Sequence, residues 1–327
     1  MSPVLIVMIA LAVIFDFLNG IHDSSNIVAT MISSRAFKPR VALGVTAISH
    51  FVAPFIFGVA VATTIGHEVV ASEAITLNVL LAALASAIIW NIITWVLGIP
   101  SSSSHALIGG MIGAVMIGAG VSAIELKGME KILIALFISP IIGLILGYVL
   151  TRLIFFLARG ATPKINGFFK RAQIVSAIAL SLSHGTNDAQ KTMGVITLGL
   201  VTAGVIPDFK VPIWVITISA GAIALGTAFG GWKLIKTLGG KFYKIRPVHG
   251  FSSQLTSAIV ILGASIVGGP VSTTQVVSSS IMGVGSAERV NMVRWGVAKE
   301  IMVAWIVTIP ATIAMAAGIY WIIEKFI

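Results

Sequence analysis

Of the chain's 327 residues, 57% are hydrophobic and only 10% charged; the formal net charge is +10 and cysteine is absent. Soluble domains carry roughly 25% charged residues, so this chain cannot cover a water-exposed surface of its size, and it reads as an all-α polytopic membrane protein. Without cysteine there are no disulfides, thiolate metal sites or cysteine nucleophiles, and no Lys/Arg run is long enough to suggest nucleic acid as a partner.

In chain order, apolar stretches are predicted from Pro3 to Ile32 (interrupted), Val41 to Ile65, Thr76 to Leu97, Ala106 to Ile124 and Ile132 to Ala158. The opening residues lack a basic leader and a small-x-small cleavage pattern and contain Asp16, so they read as retained membrane helix rather than a signal peptide. A basic linker from Arg159 to Arg171 leads to five more stretches. These run from Ala172 to Leu200 (interrupted), Val211 to Gly231, Ser253 to Gly268, Val276 to Gly285 and Met302 to Ile323. If the Arg35–Arg40 loop is cytoplasmic and each stretch crosses once, sixteen of the 21 Lys/Arg residues fall inside. Only Lys127, Lys131, Lys210 and Lys325 fall outside. That asymmetry fits the positive-inside rule and predicts a multi-pass protein of the cell membrane with both termini external.

An odd number of spans per half places the second half upside down relative to the first. The sequence repeats accordingly. Gly20-Ile21-His22-Asp23 aligns with Gly185-Thr186-Asn187-Asp188 at an offset of about 165, and Pro100–His105 aligns with Pro270–Gln275 at about 170. At the second offset Gly113 meets Gly283 and Pro140 meets Pro310. The expected organisation is two inverted repeats of about five spans, residues 1–158 and 172–327, joined by the linker 159–171. Inverted repeats of this kind mark secondary transporters.

Each repeated motif puts Gly or Pro and a polar cluster in or beside an apolar stretch. Non-helical backbone is tolerated at membrane depth only against protein or a wet cavity, so the motifs predict four helix breaks, two per half, around a polar chamber. Asp23 and Asp188, with hydroxyl, amide and backbone oxygens beside them, suit a hard cation such as Na⁺. The competing reading makes each a helix-capping residue at the membrane edge. Ser102–Ser104 and Ser272–Thr274 follow prolines and read as helix starts, whose free N–H groups and hydroxyls suit a tetrahedral oxyanion. They could equally cap only their own helices. Lys191 shares a helix face with Asp188, either pairing with it or touching the anion. Arginine is absent from all four motifs, so an anion here needs helix ends and co-bound cations to balance it, which suggests cation-coupled symport.

The segments Gly20-Ile21-His22-Asp23-Ser24-Ser25-Asn26 and His184–Lys191, with the two Pro-x-Ser-Ser/Thr-Ser/Thr motifs, resemble the inorganic phosphate transporter (PiT) family over essentially the whole chain. The resemblance implies a homodimer symporting inorganic phosphate with Na⁺ or H⁺, a moving transport domain on a static scaffold, and about 12 helices with broken or re-entrant halves counted. It implies phosphate at Ser102, Ser103, Ser104, Thr186, Ser272, Thr273 and Thr274. It also implies Na⁺ at Asp23, Asn26, Asn187 and Asp188, with Asp16, His22, Ser24 and Lys191 accessory. Three positions depart from the family pattern: His22 and Gln275 differ from it, and Lys191 stands where an Asn would mirror Asn26.

The reading is therefore a Na⁺-coupled phosphate symporter and not an enzyme. Na⁺ acts as coupling ion rather than prosthetic group, and a dianionic phosphate calls for at least two Na⁺. The same fold could instead serve an H⁺-coupled phosphate or sulfate permease. An anion channel and an intramembrane hydrolase are rivals. The first predicts conductance without a driving ion, and the second requires a nucleophile–base–acid set whose spacing is not found.

Overall fold

A computed structural model of the chain describes residues 2–68, 74–124 and 126–326, with side chains left out at 66–68, 126–129 and 131. The side chains of Lys127 and Lys131, assigned above to the outer face, therefore lie outside the described residues.

Twelve α-helices are described. The first six are α1 (Pro3–Ser33), α2 (Pro39–Phe57), α3 (Ala60–Glu68), α4 (Leu77–Leu97), α5 (Ser103–Gly118) and α6 (Leu126–Leu157). The second six are α7 (Ile165–Thr202), α8 (Ile213–Phe229), α9 (Trp232–Gly240), α10 (Pro247–Ile266), α11 (Thr273–Glu288) and α12 (Trp295–Phe326). Among the described residues five of these, α1, α2, α4, α6 and α12, are long and apolar enough to cross a bilayer, and α8 with α9, bent by 71° at the break, is so only as a pair, as a broken span or a re-entrant loop. Outward stripes such as Ile134, Phe137, Ile141 and Ile145 on α6 suit contact with lipid.

Hydropathy predicts ten stretches and twelve helices are present among the described residues, because one stretch divides and one helix forms beyond the end of another. The second breaks at Gly58 into α2 and α3. The seventh ends in the turn at Gly230, and α9 then occupies what hydropathy assigns to a basic loop.

The expected breaks at the aspartate motifs are absent, which corrects the sequence reading. Asp23 lies inside α1 and Asp188 inside α7, and both helices are continuous. The local hydroxyls fold back on the helix: Ser24 donates to the Ile21 carbonyl (2.8 Å), Ser25 to that of His22 (2.9 Å) and Thr186 to that of Leu182 (2.8 Å). Gly20 and Gly185 serve close packing. A Cβ on Gly20 would strike the Ile223 carbonyl of α8, and one on Gly185 would lie 2.8 Å from His50 Cα of α2.

The breaks before the two Pro-x-Ser motifs are real. α4 ends at Gly98 and α10 is followed by Gly268, both left-handed (φ 70° and 73°), with Pro100 and Pro270 two residues on. Ser102 and Ser272 then cap α5 and α11, their hydroxyls accepting from the N–H of His105 (3.2 Å) and Gln275 (3.4 Å).

The helices pair reciprocally. α1 packs on α8 and α2 on α7; α3 packs on α7 and α9 on α1; α5 packs on α12 and α11 on α6. Both α6 and α12 carry an interior proline, Pro140 and Pro310, at the aligned positions. Each half thus walls the other, and the shared interior lies where α1, α5, α7 and α11 meet.

Candidate ion and anion site

The chamber is built by two long helices running through it and two helices starting in it. α1 and α7 bring the carboxylates; α5 and α11 bring N-terminal N–H groups and hydroxyls. All of Asp23, Asn26, Ser102–Ser104, Asn187, Asp188, Lys191 and Ser272–Thr274 are buried.

Asp23 is reached from both halves. Oδ1 accepts from Thr274 Oγ1 (3.0 Å) and lies 3.0 Å from His22 Nδ1; Oδ2 accepts from Ser103 Oγ (3.4 Å). Asn26 Nδ2 donates to Thr274 Oγ1 (2.9 Å), while its Oδ1 has no bonded partner. Asp188 has the corresponding arrangement. Its Oδ2 accepts from Thr273 Oγ1 (3.0 Å) and lies 3.2 Å from His184 Nε2, and its Oδ1 is ion-paired with Lys191. Lys191 Nζ also donates to Ser104 Oγ (2.6 Å) and the Val271 carbonyl (3.2 Å).

The two carboxylates share one buried polar cluster. Asp23, His184 and Asp188 each present a ligand atom, all within 4.8 Å of one another and all buried. His184 in turn stacks on His50, with ring centroids 4.9 Å apart. Carboxylates this close repel unless a cation stands between or beside them, and oxygen-rich sites of this kind suit hard cations. The capping-at-the-edge reading of the aspartates is thus set aside by their mid-helix, buried positions.

Other expected residues take more local roles. Thr186 gives its hydroxyl to its own helix. Ser24 accepts from the Gly231 N–H (3.0 Å), fixing the α8–α9 bend against α1. Asn187 Nδ2 ties to Ser265 Oγ (2.9 Å) and the Gly269 carbonyl (3.3 Å) at the end of α10, leaving its Oδ1 unbonded. His22 reaches both Asp23 and Thr94 Oγ1 (3.4 Å). Asp16 is buried near Thr192 of α7, yet neither of its oxygens attains hydrogen-bond geometry, and Asn19, one turn on, is unbonded at both side-chain atoms.

Sequence reading missed three contributors. His184 stands with the two aspartates. Gln190 caps α3, accepting from the N–H of Val61 (2.7 Å) and Ala62 (3.2 Å) and donating to the Gly58 carbonyl (2.6 Å). Gln275 meets its aligned partner His105 across the seam, with Nε2 atoms 3.5 Å apart. Only the last carried a signal, its place in the repeat.

The sequence profile of the phosphate transporter family matches residues 19–164 and 157–316. A probable low-affinity inorganic phosphate transporter of Bacillus subtilis (strain 168) is 48% identical over 327 residues, covering 98% of this chain and 97% of its own length. A protein of the same description from Rhizobium meliloti (strain 1021) is 45% identical, with 98% and 96% covered. Among solved structures, one described as the sodium-dependent phosphate transporter superposes with a TM-score of 0.91 at 26% identity, covering 100% of both chains.

Proposed function

The chain belongs to the phosphate transporter family, a multi-pass membrane transporter and not an enzyme, and on that premise we propose that it carries inorganic phosphate by Na⁺-coupled symport through the chamber between α1, α5, α7 and α11. One observation carries this reading: Asp23 and Asp188 converge on hydroxyls at the N-termini of α5 and α11, contributed by both halves. Each helix N-terminus offers about half a positive charge and free N–H groups to an oxyanion. The assigned roles are phosphate at Ser102–Ser104 and Ser272–Thr274, beside Na⁺ held by Asp23, Asn26, Asn187 and Asp188. Thr186 gives its only O–H to the Leu182 carbonyl, so toward hydrogenphosphate it can only accept from the anion's own O–H, and Asp16, His22 and Ser24 line or brace the approach. Na⁺ coupling is further supported by the neighbouring structure's description as sodium-dependent.

We assign the halves 1–158 and 172–327 to inverted repeats acting as a homodimer. The reciprocal helix pairing and the paired motif contacts support the repeats; the dimer rests on the family resemblance alone. The inward placement of the basic loops is supported by their convergence. Arg35, Lys170, Lys244, Arg246 and Arg294, from four separate loops or helix ends, line one open cavity of about 710 Å³.

The test is phosphate uptake by proteoliposomes at fixed pH. Replacing external Na⁺ by choline should cut uptake at least tenfold, and excess sulfate should compete weakly. Uptake that ignores Na⁺ but follows a pH gradient would shift the assignment to H⁺ coupling, and strong competition by sulfate would broaden the substrate.

A further inference from the structure

We infer that the Lys191 ammonium occupies the second-half counterpart of the first-half cation position, so that one of the positive charges accompanying phosphate is a fixed part of the chain. The inference rests on the Na⁺-coupled reading for the identity of the mobile ion, but not for the placement of the lysine.

The two motif pairs set corresponding positions side by side. At the offset that aligns Asp23 with Asp188, Asn26 aligns with Lys191; at the second offset, Ser103 aligns with Thr273 and Ser104 with Thr274. The contacts follow the same correspondence. Asp23 accepts from Ser103 (3.4 Å) as Asp188 accepts from Thr273 (3.0 Å). Asn26 donates to Thr274 of the opposite half (2.9 Å) as Lys191 donates to Ser104 of the opposite half (2.6 Å). Both positions thus present a carboxylate and a hydroxyl from the facing helix start. They differ in what stands beside the carboxylate: a neutral amide in one half and an ammonium in the other.

Lys191 Nζ has the oxygen partners that a bound monovalent ion would have: the Asp188 carboxylate, the Ser104 hydroxyl and the Val271 carbonyl. An ammonium has three N–H donors, so these three acceptors use its whole capacity. In the first half the amide oxygen of Asn26, buried beside Asp23, has no bonded partner and remains available to a cation. Charge points the same way. Two carboxylates and a dianion carry four negative charges, and a buried, ion-paired lysine offsets one of them, so one mobile ion fewer is called for than without it. The expectation of at least two Na⁺ asked for two positive charges in motifs short of basic side chains; Lys191 and one Na⁺ at Asp23 together supply those two.

The stoichiometry decides the matter, because a lysine that only braces the fold would not alter it. Proteoliposomes held at zero membrane potential are given a tenfold Na⁺ gradient, and phosphate accumulation is read at zero net flux. One coupled ion predicts about tenfold accumulation for the natural chain, and two ions in Lys191→Asn predict about a hundredfold, with the Hill coefficient for Na⁺ rising from about 1 to about 2. Hundredfold accumulation by the natural chain would overturn the inference, and so would an unchanged exponent in Lys191→Asn. If that variant fails to fold, the exponent of the natural chain alone is decisive. Uptake indifferent to Na⁺ in the natural chain but gaining Na⁺ dependence in Lys191→Asn would sustain the inference while removing the Na⁺-coupled reading; indifference in both would end both.

Discussion

Asp23 and Asp188 are alike in burial and unlike in company, and substitution should separate them. Asp23 is held by hydroxyls and a histidine, whereas Asp188 is bound to a buried lysine. Replacing either by Asn keeps the shape and removes a charge the site depends on, the one facing the mobile cation at Asp23 and the one placing the Lys191 ammonium at Asp188, so Na⁺-driven uptake should fall at least a hundredfold in both. Stability should diverge. Asp23→Asn removes a buried charge and should hold or raise the unfolding midpoint in detergent. Asp188→Asn strands the Lys191 ammonium at a cost of about 3–5 kcal/mol and should lower it. Equal midpoints would mean that the lysine is not truly buried with Asp188. That these two aspartates are buried together was legible in the sequence, because acidic groups inside apolar stretches are costly and need partners. His184 was not, because a histidine near a break has many uses and only the fold sets it within 4.8 Å of both carboxylates.

At the scale of the helix, glycine was the ambiguous letter. In membrane helices it marks either a break or a close contact, and the chain uses it for both. Gly98 and Gly268 accompany breaks, whereas Gly20, Gly185 and Gly226 let backbones touch. The α1–α8 contact offers a clean test. A Cβ on Gly226 would strike the Phe17 carbonyl, two turns from Asp23, whereas Gly221 on the same helix has open space. Gly226→Ala should therefore lower the unfolding midpoint by the equivalent of about 1–3 kcal/mol and reduce uptake, while Gly221→Ala leaves both unchanged. Matching melts for the two variants would show that α1 and α8 are not packed this closely. The short helices were invisible to hydropathy for a simpler reason: α3 and α9 have nine residues each, well under the length of a span.

For the molecule as a whole, two ordered motif pairs were readable in the sequence, but the way the helices of the two halves exchange partners was not. Periodicity says which face is apolar, not which helix covers it, and only the structure shows α5 against α12 and α6 against α11. Orientation can be checked directly, since a chain free of cysteine accepts single-cysteine probes without background. Lys164→Cys, in the linker, should react with a membrane-impermeant maleimide only after the inner face is opened, and Asp208→Cys, in the loop between α7 and α8, should react from outside in intact cells. The reverse pattern would invert the whole topology.

The hydroxyl of Thr274 joins Asn26 to Asp23, and Lys191 joins Asp188 to Ser104, so groups from both halves of the chain are tied together at the proposed binding site. A mouth that opened along that junction would tear every one of these bonds before the load could leave. Release is less costly if the knot stays tied and travels intact, carried past its surroundings until one rim or the other meets water.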